Sequence, residues 1–316
     1  MRGTVGALIV NRLISSIPVM LVVSIVAFVL IYITPGDPAA IIAGDTATAE
    51  DVARIRTAMG LDKSLLEQFA IWFWKTCQGD LGVSVVSGEP VARLIFQRIA
   101  PTLSLAATTI VLSVIVAVPL GTLAAWRAGS WVDRGLSVLS VLFFSLPVFL
   151  IGYFLIAKFA LGARWFPIQG YRPLSDGVGE WLWYLALPTV CVSFVFIALI
   201  ARITRSAVIE ALSADFIRMA RAKGVPGMRI LTVHALRNAA VPIAATIGLG
   251  IAGLLNGVVI VENVFAIPGL GRLTVDAVLQ RDFPVIRGLM LVLSLIYVLV
   301  NLLVDLSYII LDPRVR

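Results

Sequence analysis

The residues able to do chemistry in this chain are few and their spacing is restrictive. Only four lysines are present, Lys63, Lys75, Lys158 and Lys223. None stands in the Gly-x4-Gly-Lys-Ser/Thr spacing that lets backbone N–H groups and an ammonium cradle a nucleotide. The chain therefore holds no P-loop of its own. The one histidine, His234, is isolated, and the two cysteines, Cys77 and Cys191, suggest neither a disulfide framework nor a metal site. What remains is a basic segment, Arg202–Asn238, lying between two uncharged apolar stretches. Its chemistry is that of docking: cationic side chains on a short structured element.

Inside that segment the spacing predicts a helix. Ser213 can cap it, Ala214-Asp215 opens it with a carboxylate against the positive end of the dipole, and it runs to about Lys223. Gly224 is a stop signal, with Pro226 just beyond. The helix carries Arg218 and Arg221 beside the small residues Ala220 and Ala222, a flat alanine side with a cationic rim. Such a helix suits a groove on a soluble partner. It equally suits a membrane surface where its arginines meet anionic lipid, and composition leaves both open.

The elements around it are built for lipid. The chain of 316 residues is 60% hydrophobic and 14% charged, against roughly a quarter charged in soluble domains, and its mean hydropathy is +1.01. A spanning helix needs about 20 mostly apolar residues. Six runs qualify: 13–33, 103–126, 136–157, 181–201, 239–261 and 288–311. The first five lack any charged residue or histidine, and the sixth holds only Asp305. The fold class is an all-α membrane protein with six transmembrane helices. The first run follows Arg2 and Arg12 but is too long for a signal core and lacks a nearby cleavage site, so it is expected to stay as the first span.

Six spans put both termini on one side. The segments 1–12, 127–134, 202–238 and 312–316 hold thirteen Lys/Arg. The opposite side holds six once 34–102 is discounted as too long to control orientation. Both termini and the basic segment are therefore expected in the cytoplasm, and the net charge of +7 reads as membrane orientation, with no nucleic-acid partner. The extracytoplasmic segment 34–102 opens with the turn Thr34-Pro-Gly-Asp-Pro38 and predicts helices at Thr48–Met59 and Leu65–Thr76. Pro18, Pro119, Pro147 and Pro188 predict ordinary kinks. In the fifth span Gly253 and Gly257, four apart, predict close helix packing. With Asn256 they are also candidates to line a solute pathway. The external segment 262–287 turns at Pro268-Gly-Leu-Gly271 and predicts a short helix, Leu273–Leu279, at the outer interface. Asp305 is expected to have a structural partner.

An ion-coupled carrier tends to bury several ionisable groups in the membrane, and here there is one. By elimination the chain is a passive pore or a subunit driven from outside.

Ala220-Arg-Ala-Lys-Gly224 followed by His234-Ala-Leu-Arg-Asn238 resembles the coupling segment of the membrane permeases of ABC importers, in the peptide/nickel branch. Aligned on Gly224, the general permease pattern Glu-Ala-Ala-x3-Gly-x9-Ile-x-Leu-Pro matches at Ala220 and Leu236. It differs at Arg218, Met219, His234 and Arg237, as that branch itself does. Similar segments recur along the chain: LDKSLLEQF (61–69), GDLGVS (79–84), ARITRS (201–206), VENVFAIPGLGRL (261–273), RDFPV (281–285) and NLLVDLSYIILDPRVR (301–316). The likeness is to the first permease of dipeptide and oligopeptide systems, the DppB/OppB type, with residues 79–316 as one permease domain.

The resemblance implies an inner-membrane subunit with no catalytic residue and no cofactor of its own. It would work with a second homologous permease, two cytoplasmic ATPases that use ATP and Mg, and an extracytoplasmic substrate-binding protein. It implies coupling to the ATPase through Asp215, Arg218, Ala220, Arg221, Ala222, Lys223, Gly224, Leu236 and Arg237. Leu273, Val275 and Leu279 are expected at the outer gate or in contact with the binding protein. Nickel, glutathione and haem are other cargoes of the same architecture.

Overall fold

The computed structural model describes residues 2–33, 39–40, 48–58 and 62–311, and these are helical almost throughout. Among the described residues there is no strand, only an isolated bridge between Val83 and Pro90. The first span is α1, Arg2–Ile33, with its apolar stretch at Ile9–Ile33. Ala49–Ala58 (α2) and Leu65–Cys77 (α3) lie where the residue pattern predicts helices. α3 starts on a capping box: the Ser64 hydroxyl accepts from the Glu67 amide at 3.4 Å and the Glu67 carboxylate accepts from the Ser64 amide at 3.2 Å.

The second and fourth apolar runs sit inside longer helices. α4 covers Val91–Trp126 and α7 covers Val178–Ser213, each of 36 residues. At 1.5 Å per residue such a helix is about 54 Å long, well beyond the roughly 30 Å of hydrocarbon. Apolar runs mark only the part within lipid, and polar turns carry the same helix outward.

The third run departs from expectation. Residues 136–157 do not form one helix: α5, Trp131–Ser145, and α6, Val148–Leu155, meet at an angle of 99°. The cause is Pro147. Its ring disfavours helical geometry in the preceding residue, and Leu146 is extended, with φ −86° and ψ 125°. The kink expected at Pro147 is a full break, whereas Pro18, Pro119 and Pro188 stay within continuous helices. α6 runs on into a π-helical stretch, Ile156–Gly162. Among the described residues five helices are long and apolar enough to cross a membrane, or six if the bent pair counts as one span.

After α7 come α8 (Asp215–Ala222), a turn at Gly227–Arg229, a π-helical stretch at Ile230–Ala235, α9 (Leu236–Val264), α10 (Leu270–Leu279) and α11 (Phe283–Leu311).

The chain divides into two compact units. One gathers Ile99–Arg272 with residues 1–5 and 300–316. Its core has two clusters. One packs Leu105, Leu185, Cys191, Val192, Leu254 and Phe265; the other is built mostly of alanines, among them Ala117, Ala201, Ala207, Ala211 and Ala239. Small residues let helices approach closely where lipid offers no hydrophobic drive. Gly121 takes this furthest, since a Cβ there would collide with the Ala201 carbonyl and the Thr204 side chain. Asp133 and Arg205 tie α5 to α7: the carboxylate accepts from Arg205 Nε and, at 2.8 Å, from Arg205 Nη2. The Gly129 amide also donates to Asp133, at 2.9 Å.

The other unit is Gly6–Arg98 with Leu273–Leu299. Here Phe28 of α1 packs against Phe69 and Trp72 of α3, with ring centroids 5.3 and 5.8 Å apart. Ser84 Oγ donates to the buried Asp282, joining the GDLGVS and RDFPV segments.

Candidate functional site

The predicted docking helix forms as α8, and its boundaries follow from backbone chemistry. Ser213 does not cap it: its hydroxyl donates back to the Glu210 carbonyl at 2.7 Å. Ala214 occupies the cap position with an extended backbone and no side-chain bond. The start of α8 therefore relies on Asp215 in its first turn, where a carboxylate is favoured by the helix dipole. Arg218 Nη1 donates to Asp215 Oδ1 at 3.1 Å, both residues being open to solvent.

The other end is closed firmly. Gly224 has φ +76°, its amide donates to the Arg221 carbonyl at 2.9 Å, and the Val225 amide donates to the Ala220 carbonyl at 3.1 Å. This paired closure satisfies two carbonyls that the helix end leaves free and requires the left-handed residue that glycine supplies.

α8 touches the protein through one face. Ile217 is fully buried and Ala220 half-buried, while Asp215, Phe216, Arg218, Met219, Arg221, Ala222 and Lys223 are exposed. The flat alanine side does not exist as one surface: two positions along a helix is about 200° of rotation, and Ala222 points away from half-buried Ala220. The free face instead carries Phe216 and Met219, one turn apart and 40% and 59% exposed, flanked by Arg218. An apolar pair with a cationic border can fill a hydrophobic cleft whose rim is acidic. Phe216, absent from the predicted coupling residues, is marked in the sequence by its placement at i and i+3 with Met219, away from Ile217.

The segment beyond α8 returns to the core. Ile230 and Leu231 are buried, His234 and Leu236 half-buried and Arg237 exposed. Gly227 lies against the Trp126 ring, where a Cβ would come within 3.0 Å, so the end of α4 braces this segment. Of the predicted coupling residues, those on α8 stand together with Gly224 closing them, and Leu236 and Arg237 lie at the start of α9.

The candidate pathway residues are on α9. Gly253 is exposed with nothing near the position of a Cβ, and Gly257 faces Val192 of α7. The side chain of Asn256 lies outside the described residues. Of the candidate gate residues, Leu273 is buried, Val275 half-buried and Leu279 is 77% exposed, so only Leu279 presents a free apolar surface. Asp305 is half-buried.

A polar cluster at the end of α9 was not anticipated. Glu262 is fully buried; its Oε1 accepts from Thr102 Oγ1 at 2.6 Å and its Oε2 from the Arg272 amide at 3.0 Å. Thr102 Oγ1 in turn accepts from the Leu270 amide at 2.8 Å. A Cβ on Gly269 would overlap the Glu262 carboxylate and one on Gly271 would strike Val259 first and then that carboxylate, which explains the glycines of the Pro-Gly-Leu-Gly turn. The carboxylate thus organises the turn that leads into α10. Among the described residues no group of three or more His, Cys, Asp or Glu could hold a metal.

Residues 117–316 match the family described as "Binding-protein-dependent transport system inner membrane component", and residues 6–106 match its N-terminal companion. The chain belongs to the ABC importer permeases. It is 50% identical over 311 residues to a probable peptide ABC transporter permease of Sinorhizobium fredii, covering 98% of this chain and 99% of that protein. It is 42% identical over 310 residues to a putative peptide transport system permease of Brucella abortus, covering 98% and 99%. A glutathione transport system permease, GsiC of Escherichia coli, is 39% identical over 308 residues, covering 98% of each. Among solved structures, the inward-facing MetNI methionine ABC transporter shares the fold with a TM-score of 0.58 at 17% identity, over 69% of this chain and 96% of that one. This ABC importer permease is thus a multi-pass helical membrane subunit, and α8 with its closing glycine is its candidate coupling element.

Proposed function

We propose that this permease forms half of a peptide pathway and that α8 couples it to a cytoplasmic ATPase. The observation that carries the reading is α8 itself, a helix held by one buried residue with Phe216, Met219, Arg218 and Arg221 left open. Such a helix can seat in a groove of another protein without disturbing its own support. A second, homologous permease completes the pathway, and two ATPases bearing ATP and Mg drive it. A substrate-binding protein delivers cargo on the extracytoplasmic side of the inner membrane. Both termini and α8 face the cytoplasm. ATP binding draws the coupling helices together, the spans open outward to admit substrate, and hydrolysis resets them, a rigid-body form of alternating access.

Peptide cargo is supported by the relatives at 50% and 42% identity, both named for peptide transport. The relative at 39% is named for glutathione, itself a short peptide.

The test uses the assembled importer in vesicles. Charge reversal at Arg218 and Arg221 is expected to abolish substrate-stimulated ATP hydrolysis and uptake while the permease still assembles in the membrane. Normal stimulation and uptake in that variant would sink the docking role. Substrate flux through the chain reconstituted alone, without ATP, would instead identify a self-sufficient channel or carrier.

A further inference from the structure

A cavity of about 510 Å³ opens in the smaller unit between α1, α3, the 80–83 turn and the start of α11. Among the described residues its wall combines Tyr32 and Trp72 with three cations, Lys63, Lys75 and Arg287, against one acid, Asp80. Arg287 is held in place: Nε donates to the Ala27 carbonyl at 3.2 Å and Nη2 to the Phe28 carbonyl at 2.9 Å. Its guanidinium lies 5.2 and 5.6 Å from the ring centroids of Phe28 and Trp72. Nη1 is outside both hydrogen bonds. Neither lysine has an ion-pair partner among the described residues. The described lining thus gathers an excess of two positive charges with donors to spare, which is the chemistry of an anion site.

Its depth says which anion. Phe28 and Tyr32 lie in the last two turns of the apolar stretch Ile9–Ile33, where a span leaves the hydrocarbon. α3 packs there through Phe69 and Trp72, buries no residue completely, and leaves Leu66 82%, Trp74 65% and Ile71 42% exposed. A short helix carrying Trp72, Trp74 and Lys75 beside Tyr32 at the end of a span has the composition of a membrane interface. We propose that this cavity binds the phosphate headgroup of an anionic phospholipid, whose acyl chains lie along Ile71, in the cavity wall, and Trp74, one turn on along α3. A free phosphate would satisfy the cations but leave that apolar face in water. A lipid covers both.

The full-length permease, purified in mild detergent, is titrated with phosphatidylglycerol, with phosphatidylcholine and with glycerol 1-phosphate, and bound species are counted by native mass spectrometry. One phosphatidylglycerol is expected to bind more tightly than phosphatidylcholine. Lys63→Gln combined with Lys75→Gln, both at exposed positions, is expected to weaken phosphatidylglycerol roughly 30-fold, taking each lysine as about fivefold. Ile71→Ser combined with Trp74→Ser is expected to weaken both lipids. Equal binding of the two lipids by the native chain, or an unchanged preference in the lysine variant, would overturn the site. Competition by glycerol 1-phosphate as strong as by the lipid itself would overturn the lipid assignment.

Discussion

At the residue scale, two positions show how little freedom the chain leaves its polar groups. Gly224 is left-handed, and its amide serves the Arg221 carbonyl. Alanine there keeps the N–H and adds only the strain of a left-handed side chain, roughly 1 kcal/mol. Proline can neither reach φ +76° nor donate. Gly224→Ala is therefore expected to couple nearly normally and Gly224→Pro to lose substrate-stimulated ATP hydrolysis, with the spans still folded by circular dichroism. Glu262 is the opposite case, a buried acid whose two oxygens serve two donors. Glutamine preserves the shape but presents an NH2 group where one donor expects an acceptor. Glu262→Gln is expected to cost about 1–3 kcal/mol, read as a lower thermal midpoint of the detergent-solubilised chain. Thr102→Ser, which keeps the hydroxyl, should remain close to the native midpoint.

At the element scale, the residue pattern located most helices and missed what bends or surfaces them. The apolar runs marked spans one, two, four, five and six because a 20-residue run with at most one charge has few other fates in lipid. They could not give the ends of α4 and α7, since a helix entering water keeps its hydrogen bonds while its side chains turn polar. Pro147 was visible as a kink, but a 99° break depends on Leu146 becoming extended, a tertiary outcome. In α8 the stop at Gly224 was legible from local chemistry. Which face is free was not, because burial of Ile217 is decided by how α8 folds back on its flanking elements, α7 and the 230–235 stretch. Phe216→Ser with Met219→Ser removes the apolar pair from that face without touching Ile217. It is expected to weaken ATPase attachment, measured by co-purification, with the thermal midpoint of the permease unchanged. The Asp133–Arg205 link between α5 and α7 belongs to the same scale. Removing the charge by Asp133→Asn is expected to lower stability by about 1.5–3 kcal/mol, because Arg205 then loses its anionic partner; the check is chemical denaturation in detergent.

At the scale of the whole molecule, orientation is the property on which every functional assignment depends. Cytoplasmic termini are proposed from thirteen Lys/Arg against six outside the long 34–102 segment, a bias that works through short loops near the membrane. The chain supplies its own probes of that arrangement. Cys77 at the end of α3 is exposed, while Cys191 is buried in α7 with its thiol donating to the Val148 carbonyl at 3.3 Å. A membrane-impermeant maleimide added to right-side-out vesicles should therefore modify Cys77 and spare Cys191. In a Cys77→Ser background, Leu279→Cys should react from outside, since Leu279 is 77% exposed. Met219→Cys, on the free face of α8, should react only after the membrane is opened. Labelling of Met219→Cys in sealed vesicles would invert the topology, move α8 to the side without ATPases, and remove the coupling role at once.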